Sequence, residues 1–285
     1  MKLSQYIGPI AAILFLASAC EKDKTPESAV LVVEGWIENG AHPVVLLSES
    51  IPVANGTEIT PRSMMDNIAK WAKVSVSDGE KTEILTGMAD TEYFPPYVYT
   101  SARITGEVGK TYTLTVEYKD YKATATTTIP EPVAPDTVFV REVKDSICTA
   151  VCAFTDPAPK GNYYKVFTRT EEKDQHYHPS AMALASDENL NGYTEMFLYS
   201  TQRLMDFIDM PNIRQGDKLW IKLCTMDRKA FDYWTNFETV IAGNMFNMPY
   251  ARNVINNMVQ GASGYWIGYG VGKEMFLDTS GDPEE

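Results

Sequence analysis

Between Gly106 and Pro130 the chain reads GEVGKTYTLTVEYKDYKATATTTIP, the stretch that limits its fold most tightly. In an extended strand Tyr112, Leu114, Val116 and Tyr118 share one side, and Thr113, Thr115 and Glu117 the other. One face is built for burial and the other for water, as in an antiparallel sheet stacked on a second layer.

Gly109-Lys110-Thr111-Tyr112 resembles the corner of immunoglobulin-like folds, where a tyrosine hydroxyl ties back to upstream backbone. The rest of residues 30–130 fits that reading. LVVEGWIENG and PVVLLSES are strands with Asn39-Gly40 as the turn between them, and WAKVSVSDGEKTEIL is a hairpin turning at Asp78-Gly79. Between them PRSMMDNIAKWA is a loop with a helical turn. Proline-rich PEPVAPDT suits neither helix nor central strand, so residues 131–137 read as a linker.

Residues 138–277 read as a second β-rich domain with one prominent helix. TVFVREV and SICTAVCAFTD are strands bent at Lys144-Asp145. NYYKVFTRTEE alternates Tyr163, Lys165 and Phe167 with Tyr164, Val166 and Thr168, and KLWIKLCTMD sets Leu219, Ile221 and Leu223 against Trp220, Lys222 and Cys224. The helix is RKAFDYWTNFETVIAG, capped by Asp227 and expected to stop at Gly243. YWIGYGVGKEMFL returns to strand character, and residues 278–285 form an acidic tail. The fold expected is mainly β: an immunoglobulin-like sandwich followed by the second β-rich domain.

Residues 1–19 carry Lys2, an apolar run from Ile7 to Leu16, and small residues before Cys20, the layout of a secretory signal too short to span a bilayer. Ala17-Ser18-Ala19-Cys20 resembles a lipobox, which implies cleavage before Cys20 and lipid attachment to it, with residues 20–29 as a tether. The acidic residues after Cys20 resemble a signal for export to the outer face of the outer membrane. The full chain has 25 Lys+Arg against 38 Asp+Glu, or -13. Removing residues 1–19, with one lysine, leaves 266 residues at 24 minus 38, or -14. That charge repels phosphate backbones, so nucleic acid is not an expected partner.

Cys148 and Cys152, four apart in a strand, are about 13 Å apart and cannot bridge each other. Either could reach Cys224 across a sheet, or all three are small core residues.

LVVEGWIENG, the strand at Tyr112, PEPVAPDTV, FTDPAPKGNYYKV, GDKLWIKL, FDYW and NMPYARNVINNMVQGASGYWIGYG occur in an order similar to that of Bacteroidota outer-membrane lipoproteins catalogued as domain of unknown function 4249. The final segment departs from that family's pattern at Gln260 to Trp266. The resemblance covers about Val30 to Gly270. It implies a non-enzymatic surface lipoprotein, lipid-anchored at Cys20, that assists a TonB-dependent transporter and its companion lipoproteins in nutrient or peptide uptake. A stand-alone glycan- or peptide-binding lipoprotein is the alternative, and a hydrolase with an unrecognised carboxylate site is a more distant one.

Asp187, Asn189, Asn191 and Glu195 follow the start of a calcium loop, with Gly192 at its turn, but Leu198 stands where a bidentate Glu belongs. Calcium is thus a candidate ligand; no other cofactor is expected. His176 and His178 share a face near Asp174, as in a zinc or copper set that lacks a fourth ligand. His42 stands alone in the other half, so a Ser-His-Asp site is hard to assemble. Tyr265, Trp266 and Tyr269, beside glycines, form a candidate aromatic platform for a sugar or peptide.

Overall fold

The computed structural model describes residues 30–50, 61–93, 95–188, 192–198, 212–245 and 259–281. Cys20, the tether and residues 247–257 of the family-like segment lie outside this set. The strands in chain order are β1 (Leu31–Glu38), β2 (Val44–Glu49), β3 (Lys73–Ser77), β4 (Thr82–Ile84), β5 (Thr86–Ala89), β6 (Tyr97–Thr100), β7 (Thr111–Tyr118) and β8 (Tyr121–Thr128). The second half adds β9 (Thr137–Lys144), β10 (Ile147–Thr155), β11 (Tyr163–Thr170), β12 (His178–Ser186), β13 (Tyr193–Leu198), β14 (Lys218–Met226), β15 (Ser263–Val271) and β16 (Met275–Asp278). Two helices, α1 (Pro61–Asp66) and α2 (Arg228–Met245), complete the described chain, which is mainly β.

The tight turns follow their residues. Gly40 and Gly79 take positive φ after β1 and β3, and Asp145 and Ser146 do so between β9 and β10. Tyr112 behaves as its corner motif requires: its hydroxyl donates to the Thr105 carbonyl at 3.0 Å and accepts from the Glu107 amide at 2.9 Å.

One large sheet runs β12-β11-β14-β15-β1-β2-β6-β5, with β16 also on β14. Two smaller sheets, β4-β3-β7-β8 and β13-β10-β9, stand apart from it. The large sheet crosses the boundary expected at residues 131–137, because β15 lies parallel to β1 from Val32↔Ser263 to Glu38↔Tyr269. The carboxy-terminal strand thus completes the amino-terminal half. Trp266 is fully buried with Val33, Leu114 and Val116, and its indole donates to the Tyr112 carbonyl at 3.0 Å. Gly35 leaves room for that ring, since a Cβ there would sit 2.9 Å from it. The linker is held too: Thr225 donates to the Glu131 carbonyl at 2.8 Å, and the Asp136 amide donates to Ala153.

A second core lies between β9–β10–β13 and the β11–β14 part of the large sheet, with Phe154, Tyr164, Val166, Leu219, Ile221 and Leu223. Cys148, Cys152 and Cys224 are free and buried, and burial raises the Cys152 thiol to about 12. These residues fill space and do not crosslink.

Asp227 caps α2, its carboxylate accepting the Ala230 amide at 2.8 Å. Gly243 does not stop this helix as expected; α2 continues to Met245. A lone helical glycine costs only about 1 kcal/mol relative to alanine, which neighbouring turns can absorb.

Candidate functional site

The alternation that buries Val33 and Ile37 of β1 aims Glu34, Trp36 and Glu38 at the opposite side of the large sheet. Register then sets Glu34 beside Leu46 and Tyr265, Trp36 beside Val44 and Ile267, and Glu38 beside Tyr269. On β11 and β14 the same side brings Phe167 opposite Lys222 and Arg169 opposite Trp220. With Trp234 of α2 and the segments around Tyr93 and His176, these residues, Ile267 and Trp220 excepted, line a cleft of about 800 Å³. That is room for a ligand of drug or short-peptide size.

The walls are aromatic. Phe167 meets Tyr269 edge-on at 5.4 Å and Trp234 at 6.0 Å, and the Trp234 indole donates to the Tyr269 hydroxyl at 2.8 Å. Tyr93 stacks on His176 at 4.3 Å.

Charge inside the cleft is mostly matched. Lys222 donates to Glu38 at 2.7 Å and lies over the Tyr177 ring at 4.4 Å. Burial pulls its ammonium down, but the Glu38 charge and hydrogen bond outweigh this and hold its pKa above the ordinary range. Beyond the cleft wall Lys165, 0% exposed, donates to the Ser180 carbonyl at 2.8 Å and pairs with Glu238 of α2. Burial keeps its pKa below the ordinary lysine value despite that partner. Glu34 differs: it forms no hydrogen bond or ion pair with the described residues, and burial pushes its carboxyl up to about 7.

The candidates from sequence separate cleanly. Tyr265 and Tyr269 line the cleft, whereas Trp266 points through the sheet into the sandwich core. The platform of three is therefore corrected to two, because neighbours along a strand face opposite sides. All three histidines reach the cleft but do not converge. His176 Nε2 lies 3.3 Å from Asp90, His178 Nε2 lies 3.9 Å from Asp174, and His42 Nδ1 lies 2.9 Å from the Ile104 carbonyl. Among the described residues no group of three or more His, Cys, Asp or Glu side chains is placed to hold a metal ion.

Of the calcium candidates, Asp187 is buried and accepts the Gly161 amide at 2.8 Å and the Asn162 side chain at 3.2 Å. Glu195 pairs with Arg141 at 2.7 Å on the β-sheet surface. Asn189 and Asn191 lie outside the described residues. Sequence reading missed Glu34, Glu38, Trp36, Tyr93 and Lys222. The signal for three of them was present, since Glu34, Trp36 and Glu38 alternate onto one side of LVVEGWIE, opposite Val33 and Ile37.

The fold and cleft define a β-rich protein of two stacked sandwich cores that share one large sheet and leave a ligand-sized aromatic cleft on its far side. The chain belongs to the family described as domain of unknown function (DUF4249), whose model matches residues 20–274. No curated protein matches it. Among solved structures it is similar to one described as "Cytokine receptor complex - Crystal form 1A", at 9% identity over 88% of this chain and 97% of that one. The TM-score of 0.27 gives that likeness no weight. No described helix is long and apolar enough to cross a membrane.

Proposed function

We propose that this chain is a non-enzymatic lipoprotein of the outer-membrane surface, anchored through Cys20, whose cleft holds a short peptide for a TonB-dependent transporter beside it. The cleft carries this reading: about 800 Å³ with aromatic walls and charges of both signs along one side of the sheet. Aromatic faces offer area at low entropic cost. Glu34 can meet an amino group, and Arg169, stacked at 5.7 Å on the Trp220 ring, can meet a carboxylate. This mixture favours a zwitterionic peptide over a neutral glycan, which needs neither charge. The signal-like residues 1–19 and the start of the family match at Cys20 support the anchor.

Two experiments test the reading. Cys20→Ala should release the protein from the membrane fraction, and protease added to intact cells should digest the wild type; full protection of the wild type refutes surface exposure. Pull-down of the detergent-solubilised wild type should recover a TonB-dependent transporter, and recovery of none refutes the partnership.

A further inference from the structure

The end of the amino-terminal sandwich where the tether joins displays an unusual residue. Trp71 is 90% exposed and takes a left-handed φ of 67°, a strained conformation for a bulky side chain. The loop bearing it is fixed from inside. The buried Tyr99 hydroxyl donates to the Ala69 carbonyl at 2.8 Å and accepts from the Ala72 amide at 3.0 Å, so one side chain clamps both flanks of the loop tip. An indole that is strained, held and still aimed at solvent is presented for contact.

Its position identifies the contact. The Ser50 amide donates to the Val30 carbonyl at 2.8 Å, Leu31 is in register with Glu49, and Ser48 bridges Ile68. Trp71 follows Ile68 by three residues and stands two before Lys73, which is in register with Glu117 next to the β7–β8 turn, so it lies at the same end as the start of β1. The ten residues 20–29 join Cys20 to that point and can extend no more than about 36 Å. The β7–β8 turn occupies the same end, tied to Glu49 by Tyr118 and Lys119. Exposed Lys70 and Lys122 stand there beside Asp66 and Asp120. Bases thus offset acids at this end of an otherwise acidic chain, which relieves its repulsion from an anionic surface.

We infer that this end faces the bilayer, with Trp71 seated in the interfacial layer as a second contact beside the lipid on Cys20. Tryptophan favours that layer because its ring is apolar and its N–H remains near water. The inference rests on lipid attachment at Cys20. β1 then runs away from the membrane, which lifts Glu34 about 10 Å and Glu38 about 23 Å above its start.

The test uses the full lipidated protein reconstituted in vesicles of phosphatidylcholine and phosphatidylglycerol, with and without brominated acyl chains. Bromine should quench part of the wild-type tryptophan emission, and Trp71→Phe should abolish that part while the circular dichroism stays unchanged. An unquenched wild type, or equal quenching in Trp71→Phe, overturns the inference. Release by Cys20→Ala is read separately, so failure of the anchor is distinguishable from failure of the Trp71 contact.

Discussion

The two sides of the large sheet are made by the same strands and end in opposite conditions. One side is dry: Val33, Ile37 and Trp266 close on the β3–β7–β8 layer, and Leu219, Ile221 and Leu223 on the β9–β10–β13 layer. The other bears Glu34, Glu38, Lys165, Lys222 and Arg169, yet α2 and the loops around Tyr93 and His176 cover much of it. Alternation decides which residues share a side but not whether the polar side stays wet. Once covered, each charge needs a partner or shifts its pKa; Lys222 and Lys165 find carboxylates, while Glu34 stays alone.

The contrast can be broken from either side. Trp266→Ala, on the dry side, should cost the most, about 4 kcal/mol in urea denaturation, because it opens a cavity between two sheets. Glu238→Ala on the polar side should cost about 3 kcal/mol by the same measurement, because it strands the buried Lys165 ammonium. A loss below about 1 kcal/mol would show that water already reaches Lys165 and that the covered polar side is wet after all.

Glu34 sharpens the comparison through pH. Its folded carboxyl is raised to about 7 from 4.5, so the folded state binds the extra proton between these values. Its contribution is full below pH 4.5 and is lost as pH rises through about 7, on the order of 2 kcal/mol after allowing for water in the cleft. Melting curves of wild type and Glu34→Gln across that range should diverge, with the variant lacking this slope. Tyr112→Phe should cost about 1.5 kcal/mol through the lost corner bonds. Glu195→Gln, whose partner Arg141 is on the surface, should change stability by less than about 1 kcal/mol.

Much of this arrangement is legible in local sequence. The Tyr112 corner, the positive-φ turns, the Asp227 cap and the alternation of β11 and β14 all depend on residues a few positions apart. The pairing of β15 with β1 joins Glu38 to Tyr269 across most of the chain, and no local pattern announces it. The cleft was illegible for the same reason. Glu34, Phe167 and Tyr265 come to one cleft only after that pairing is made, and the three histidines reach it without converging. Trp266 could have been separated from Tyr265 and Tyr269 by strand alternation alone.

The central claim is that the covered polar side is a peptide-binding site, and recovery of peptides by native mass spectrometry tests it most directly. Wild-type protein mixed with a tetrapeptide library bearing free termini should retain peptides after desalting. Trp36→Ala and Glu34→Gln should lose them, while Ile84→Ala, on the exposed β4 edge, should retain them. Wild type emerging without bound peptide, or retention by the cleft variants equal to wild type, would contradict the account.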